Sequence, residues 1–215
     1  MKLRIFIAAA VALVLSGCAK QTPYDYTAFR ASKPTSIVVL PAKNSSPDIQ
    51  AAHSLASVIT APLAESGYYV FPVAVVDKTF EQNGLASADD AQGVSTAKLR
   101  EIFHADAALY VEVISYGTQY RVVDSATQVS AVARLVDLRT GKQIWAGKGF
   151  ASDAQDNSNN GLVGMLITAA VKQISNNIND KSHDMAIIAA STMLSADGRN
   201  GSILPGPRAN VKTAL

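Results

Sequence analysis

The chain has 215 residues, with 19 basic and 17 acidic side chains and a single cysteine. One cysteine excludes a disulfide framework, so burial and backbone hydrogen bonding must hold the fold. The formal charge of +2 rests on Lys2 and Arg4; without them the charges balance, and a basic footprint for nucleic acid has no support.

At the amino terminus, Lys2 and Arg4 precede the apolar run "IFIAAAVALVL" and then "SGC". A positive start, a short apolar core and small residues before a cleavage point predict a secretory signal peptide over residues 1–17. The core is about eleven residues long, whereas a bilayer-spanning helix needs roughly twenty. Leu15-Ser16-Gly17-Cys18 resembles the bacterial lipobox. The resemblance implies cleavage between Gly17 and Cys18 and acylation of Cys18, palmitate included, on both its thiol and its new amine. Several acyl chains, at about 0.8 kcal/mol per buried methylene, would anchor a soluble domain to a membrane. Such a lipid also accounts for a lone thiol in an oxidising compartment. Ala19 follows the cysteine where enterobacterial inner-membrane lipoproteins carry aspartate, which implies lipid anchoring in the cell outer membrane, facing the periplasm.

Residues 18–35 have two prolines and no sustained periodicity, and are predicted to be a tether that could reach roughly 60 Å when extended. Tyr24, Tyr26 and Phe29 are unusually aromatic for a free linker, which suits either partial packing against the domain or a partner, or a loop with local packing. A domain is expected over residues 36–196. "SIVVLPA" suits a buried strand. "KNSSPD" follows as a turn, with Ser46 as helix cap and Pro47 at the first helical position. Ala52, Leu55, Ala56, Ile59 and Leu63 form a helical stripe, which Pro62 should kink or restart and Gly67 should end. "YYVFPVAVV" reads as a second strand, with Pro72 marking an edge or end. A short helix capped by Asp77 and stopped at Asn83-Gly84 comes next, then one from about Ser95 to Phe103. Alternation through "ADAALYVEVISYG", "TQVSAVARLVDL" and "QIWAGKGFAS" predicts an antiparallel meander, because its connections are too short for crossovers. A polar loop, a helix around residues 162–174 and the helix "HDMAIIAASTML" complete the domain. The Gly/Pro-containing tail, residues 197–215, is expected to lie outside the core. The sum is an α+β fold, a mixed sheet with helices packed on one face.

Chemistry-bearing clusters are absent from the pattern. His53, His104 and His183 fall on separate helices without neighbouring ligands, so neither a metal nor a cofactor is expected. No nucleophile motif or phosphate loop occurs. Asp89 and Asp90 suit a helix start, and Asp153 and Asp156 lie in the polar loop. Asp137, Thr140 and Gly141 suit a tight turn, after which Trp145 should bury its ring against the helices. The expectation is a protein that is not an enzyme.

"KLREIFHADAALYVEVISYG" followed by "LVDLRTGKQIWAG" resembles a pattern shared by the CsgG-type secretion lipoprotein, the TolB amino-terminal domain and the lipoprotein activators of penicillin-binding proteins. Four motifs in order are similar to a bacterial lipoprotein family first noted among neisserial surface antigens: Gly67 to Val73, Ala105 to Tyr110, Leu135 to Trp145, and Gly206 to Arg208. The resemblance implies a TolB-like sandwich acting as a protein-binding component of a CsgG-like secretion or transport assembly. The implied partners are other envelope proteins, a CsgG-like lipoprotein foremost, or a second copy in a homodimer. Regulation of cell-wall synthesis is the alternative, and a periplasmic hydrolase would need a pocket with titratable groups. Tyr68, Tyr69, Ile203, Leu204 and Pro205 are the expected interface residues. No spare strand pair of the length needed for a membrane pore is present.

Overall fold

A computed structural model describes residues 22–120, 125–153 and 181–209. The predicted signal peptide, the cysteine, Asp156 and the helix expected near 162–174 lie outside the described residues. In chain order the elements are α1 (Thr27–Ser32), β1 (Ser36–Val39), β2 (Lys43–Asn44), α2 (Ala51–Glu65), β3 (Tyr69–Val70) and α3 (Val73–Gln82). Then come α4 (Ala88–Gly93), α5 (Thr96–Phe103), β4 (Ala107–Tyr120), β5 (Ser125–Asp137), β6 (Gln143–Ser152) and α6 (Lys181–Leu194). The fold is α+β around one mixed sheet in the order β3-β1-β4-β5-β6, with β2 also paired to β4. Strands β1, β2 and β3 pair in parallel, and β4, β5 and β6 form the antiparallel meander.

Strand alternation sends Ile37, Val39, Leu109, Val111 and Leu135 to one face. There they meet Leu55, Ile59 and Leu63 of α2 and Ala186, Ala189, Ala190 and Met193 of α6. Leu55, Ile59 and Leu63 are fully buried, each contributing about 1.5–3 kcal/mol by leaving water. The alanines let α6 lie close to β6: a Cβ on Gly149 would collide with the Ala189 carbonyl oxygen. Val38, Leu40, Ala108, Tyr110 and Val136 face the other way, against Val76 and Phe80 of α3, Ala91 of α4 and Leu99 of α5. Helices therefore cover both faces of the β1–β4 half, a correction to the one-face expectation. Parallel strands joined by helical crossovers place helices on both sides of the sheet.

Local chemistry explains three further differences. Asn44 Oδ1 accepts from the Ser46 amide and hydroxyl, and Asp48 Oδ1 accepts from the Gln50 amide. These side-chain turns delay the start of α2 to Ala51 instead of capping it at Ser46. The helix continues through Pro62 to Glu65, although a proline there cannot donate the bond that an amide would make to the carbonyl four residues earlier. "YYVFPVAVV" keeps only two strand residues, because the Pro72 carbonyl accepts from Val75 and Val76 and opens α3, which places Asp77 inside the helix. Helices α4 and α5 start where expected, at Asp89-Asp90 and near Ser95, and there the Ser87 and Ser95 hydroxyls accept from the Asp90 and Lys98 amides.

Two β-bulges set which side chains point where. The β4–β5 register slips between Val113 and Ser115, leaving Ile114 as the extra residue and bringing Tyr116 to the same face as Val113. A second slip between Leu135 and Val136 puts Ile144 and Trp145, neighbours in sequence, into one core.

Candidate functional site

Residues 22–35 and 197–209, the described parts of the expected tether and tail, are fastened to the domain. The fastening starts at Asp137, which is 2 % exposed at the end of β5. Its carboxylate accepts from the Arg139 and Thr140 amides at 2.7 and 3.1 Å, from Arg139 Nη2 at 2.7 Å and from the Ser32 hydroxyl at 2.5 Å. Arg139 Nη2 also donates to the Ser32 carbonyl. Burial alone would push the Asp137 carboxyl up; the hydrogen bonds from Arg139 and Ser32, together with the Arg139 charge, outweigh it and hold the group at about 2. Asp106 does the same work one strand away. Its Oδ2 accepts from the Thr35 amide and hydroxyl at 2.9 and 2.6 Å and from Ser36 at 3.3 Å. Here too desolvation is overcome, and the Asp106 carboxyl lies below its ordinary value. The "Ala-Asp" and "Val-Asp…Thr-Gly" motifs are thus clamps for the segment preceding β1.

That segment is accordingly not a tether. Phe29 and Ser32 are buried in α1, and Tyr24 and Tyr26 pack against the core. The Tyr26 hydroxyl donates to the Ser202 carbonyl at 2.6 Å, and the Tyr24 hydroxyl accepts from the Ala146 amide at 2.9 Å. The Tyr24 amide donates to Asn200 Oδ1 at 2.6 Å, and Asn200 Nδ2 donates to the Thr22 carbonyl at 2.8 Å.

The tail closes on the same region, correcting the expectation that it leaves the core. Ile203 is fully buried, and Trp145, itself 1 % exposed, donates from Nε1 to the Gly201 carbonyl at 2.9 Å. The Gly206 amide donates to the Ser66 carbonyl at 2.7 Å and the Arg208 amide to the Gly67 carbonyl at 3.1 Å. Gly67 has φ +92°, and a Cβ there would overlap the Ala209 nitrogen. "GYYVFPV" and "GPR" are therefore two halves of one contact. Of the five expected interface residues, Tyr68 and Ile203 are buried and unavailable. The Tyr68 hydroxyl donates to the Leu204 carbonyl, and burial pushes its phenol up. Leu204 is half-buried, and Tyr69 and Pro205 are exposed.

The surface that sequence reasoning missed is the outer face of the meander. Past the reach of α3–α5, Ile114 and Phe150 are 43 % and 48 % exposed. Further along the same face, past Glu112 and Lys148, the Arg134 guanidinium lies 3.8 Å above the Tyr110 ring centre. A cavity of about 810 Å³ at this edge is lined by Tyr110, Glu112, Arg134, Lys148 and Asn200, among others. Glu112 accepts there from the Ser45 hydroxyl at 2.6 Å. Phe150 could have been found, since it alternates outward with Ala146 and Lys148 while Gly147 and Gly149 point inward. Ile114 could not, because its exposure follows from the bulge.

Other chemistry-bearing groups are brought together only in part. The Ser54 hydroxyl lies 2.8 Å from His183 Nδ1 and accepts from the Tyr116 hydroxyl at 2.8 Å. This triplet joins α2, α6 and β4, apart from the cavity above. His53 lies on α2, and His104 caps α5 with φ +52°. Asp89 and Asp90 sit in the first turn of α4, and Asp153 Oδ1 accepts from the Thr127 amide at 2.7 Å. Among the described residues no group of three or more His, Cys, Asp or Glu could hold a metal ion, and no helix is long and apolar enough to cross a membrane.

A family model described as "Putative lipoprotein GNA1162-like" matches residues 24–208, a span that takes in both clamped segments. The chain belongs to this family. It is 47% identical over 206 residues, 95% of each chain, to "Putative lipoprotein NMB1124/NMB1162" of Neisseria meningitidis serogroup B. The crystal structure of lipoprotein GNA1162 from Neisseria meningitidis is similar at 49% identity and a TM-score of 0.54, over 66% of this chain and 99% of that one. The LpoB C-terminal domain from Salmonella enterica is similar at 20% identity and a TM-score of 0.41, over 55% of this chain and 84% of that one.

Proposed function

We propose that the protein is an outer-membrane lipoprotein, cleaved between Gly17 and Cys18 and acylated at Cys18, that acts in the periplasm by binding other envelope proteins. The lipoprotein family and the "LVLSGCAK" stretch support the anchor. The outer face of the meander supports the binding role. Ile114 and Phe150 are large apolar groups that this fold leaves in water, followed on the same face by Glu112 and Lys148 and then by Arg134, and an apolar patch beside charged groups suits a protein contact. A component of a CsgG-like secretion or transport assembly is the partner class that the motif resemblance favours.

Two measurements test this. Cys18→Ser should abolish palmitate labelling and move the protein out of the membrane fraction; a variant that still sediments with membranes counts against the anchor. A photo-crosslinking residue at Phe150 should join the protein to one envelope component in cells, and Ile114→Asp should remove that adduct while leaving the thermal melt intact. Adducts unchanged by Ile114→Asp would overturn the assignment of this face. An adduct with a penicillin-binding protein in place of a secretion component would move the reading to cell-wall synthesis.

A further inference from the structure

The fastening of residues 22–35 has a geometric consequence for a lipid-anchored chain. Extended, residues 18–35 could have held the domain roughly 60 Å from the bilayer. With Thr22 and Tyr24 held by Asn200, only the four steps from Cys18 to Thr22 separate the acylated residue from the folded surface, a reach of at most about 14 Å. A domain of this length has a radius of gyration near 16 Å, corresponding to a sphere of radius about 20 Å. A tether shorter than the radius cannot let the far side turn toward the membrane. The domain is held by one corner.

The residues at that corner suit a headgroup layer. Pro23, Asp25, Arg30, Arg199 and Pro205 are exposed there. They rim a shallow cavity of about 590 Å³ between the segment before α1 and the tail. It continues through Arg30, Leu204 and Pro205 into a second cavity of about 500 Å³ bordered by Lys33. Arg30 stands 5.9 Å from the Tyr26 ring centre, an aromatic and cationic pairing common where chains meet lipid headgroups. Asp197 is taken up by Arg199 at 2.5 Å, which leaves Arg30 and Lys33 against Asp25; Lys20 adds a further positive charge within the tether. Each basic side chain near an anionic surface strengthens attachment roughly fivefold.

We propose that the corner built by Pro23–Arg30 and Gly198–Pro205 rests on the phospholipid headgroups of the bilayer that holds Cys18. This rests on acylation at Cys18, and it sets the orientation of everything else. The Ala146 amide that Tyr24 caps is level with Arg134 and Tyr110 in the sheet. Thr118 lies eight residues further along β4, about 25 Å away, so the far end of the meander projects into the periplasm.

The test uses the full acylated protein in vesicles of phosphatidylethanolamine and phosphatidylglycerol that contain a lipid with a nitroxide on its headgroup. Because acylation occupies the native cysteine, a second cysteine can carry a fluorophore at Pro23→Cys, Pro205→Cys, Ile49→Cys or Thr118→Cys. Several-fold stronger quenching at the two proline positions than at Ile49 and Thr118 is expected. Arg30→Glu with Lys33→Glu should weaken it at Pro205. Equal quenching at all four positions, in protein that co-sediments with the vesicles, overturns the docking and leaves the anchor standing. Acyl-labelled protein that does not co-sediment overturns both.

Discussion

Replacing Asp137 with asparagine isolates the charge that fastens the amino-terminal segment. The amide oxygen can still accept from the Arg139 and Thr140 amides, so the turn keeps its backbone bonds. What goes is the ionised partner of Arg139 Nη2 and the Ser32 hydroxyl. The magnitude follows from linkage. The carboxyl is held at about 2 against an ordinary 3.8, and at roughly 1.4 kcal/mol per unit this is about 2 kcal/mol of folding free energy. The side chain is 3 % exposed, so solvent screens little of it. A folded-state value below the unfolded one stabilises the protein fully above the unfolded value. The contribution fades as pH falls from about 4 toward 2, where the native carboxyl takes up its proton.

Urea unfolding followed by circular dichroism, from pH 7 down to pH 2, reads both size and sign. Asp137→Asn should lose about 2 kcal/mol at pH 7, near 6 °C in Tm for a chain of this length. The difference from the natural protein should close as the pH approaches 2. Ser32→Ala should be less costly on top of Asp137→Asn than alone, because the two side chains share a bond. A penalty that stays constant across the pH range, or additive losses at the two sites, would refute the charge-based account of the clamp.

Ile203→Ala should cost about 2–5 kcal/mol, the range for emptying a filled core site, and removal of the chain after Gly201 should broaden or abolish the cooperative melt. An unchanged melt in calorimetry would show that the tail adds nothing to the core. Gly67→Ala should lose more than the roughly 1 kcal/mol of a left-handed residue gaining a Cβ, since that Cβ overlaps the Ala209 backbone; tail release would show as faster trypsin cleavage at Arg208. Asp77 acts in the opposite sense. Desolvation raises its carboxyl, the nearby His53 charge lowers it and Glu81 raises it, and its Oδ1 is buried without a hydrogen-bond partner among the described residues. An acid with a raised value destabilises the fold once ionised, so Asp77→Asn should stabilise the protein at pH 7 and lose that advantage below pH 4 in the same urea series.

Local signals carried the parts of this fold that local physics decides. Ser87 and Ser95 cap their helices because a hydroxyl before a helical run has one nearby use, and the β4–β5–β6 meander follows from alternation and short turns. The segment before β1 and the tail are less legible for the complementary reason. Thr22 to Ser32 and Gly201 to Ala209 have no periodicity, since their partners, Asp137, Trp145, Ser66 and Gly67, lie far away in sequence, and long-range backbone contacts leave no local trace. The odd density of Tyr24, Tyr26 and Phe29 was the available hint. The bulges at Ile114 and Ile144 were hidden in the same way, because one extra residue in a strand looks like ordinary alternation until its neighbour is seen.

The same division explains why resemblance identifies a family sooner than a role. The shared motifs, Ala105-Asp106, Val136-Asp137 with Thr140-Gly141, Gly67 with Tyr68, and Gly206 to Arg208, are the parts that tie both chain ends to the sheet. In this chain they serve the fold, whatever the protein binds. On the proposed reading, partner choice would fall instead to side chains such as Ile114, Phe150 and Arg134, which the fold exposes but does not require. Substitutions on that face should therefore alter binding at little cost in stability, and substitutions in the clamps should do the reverse. A chain whose clamp variants lost binding at unchanged Tm would break that separation.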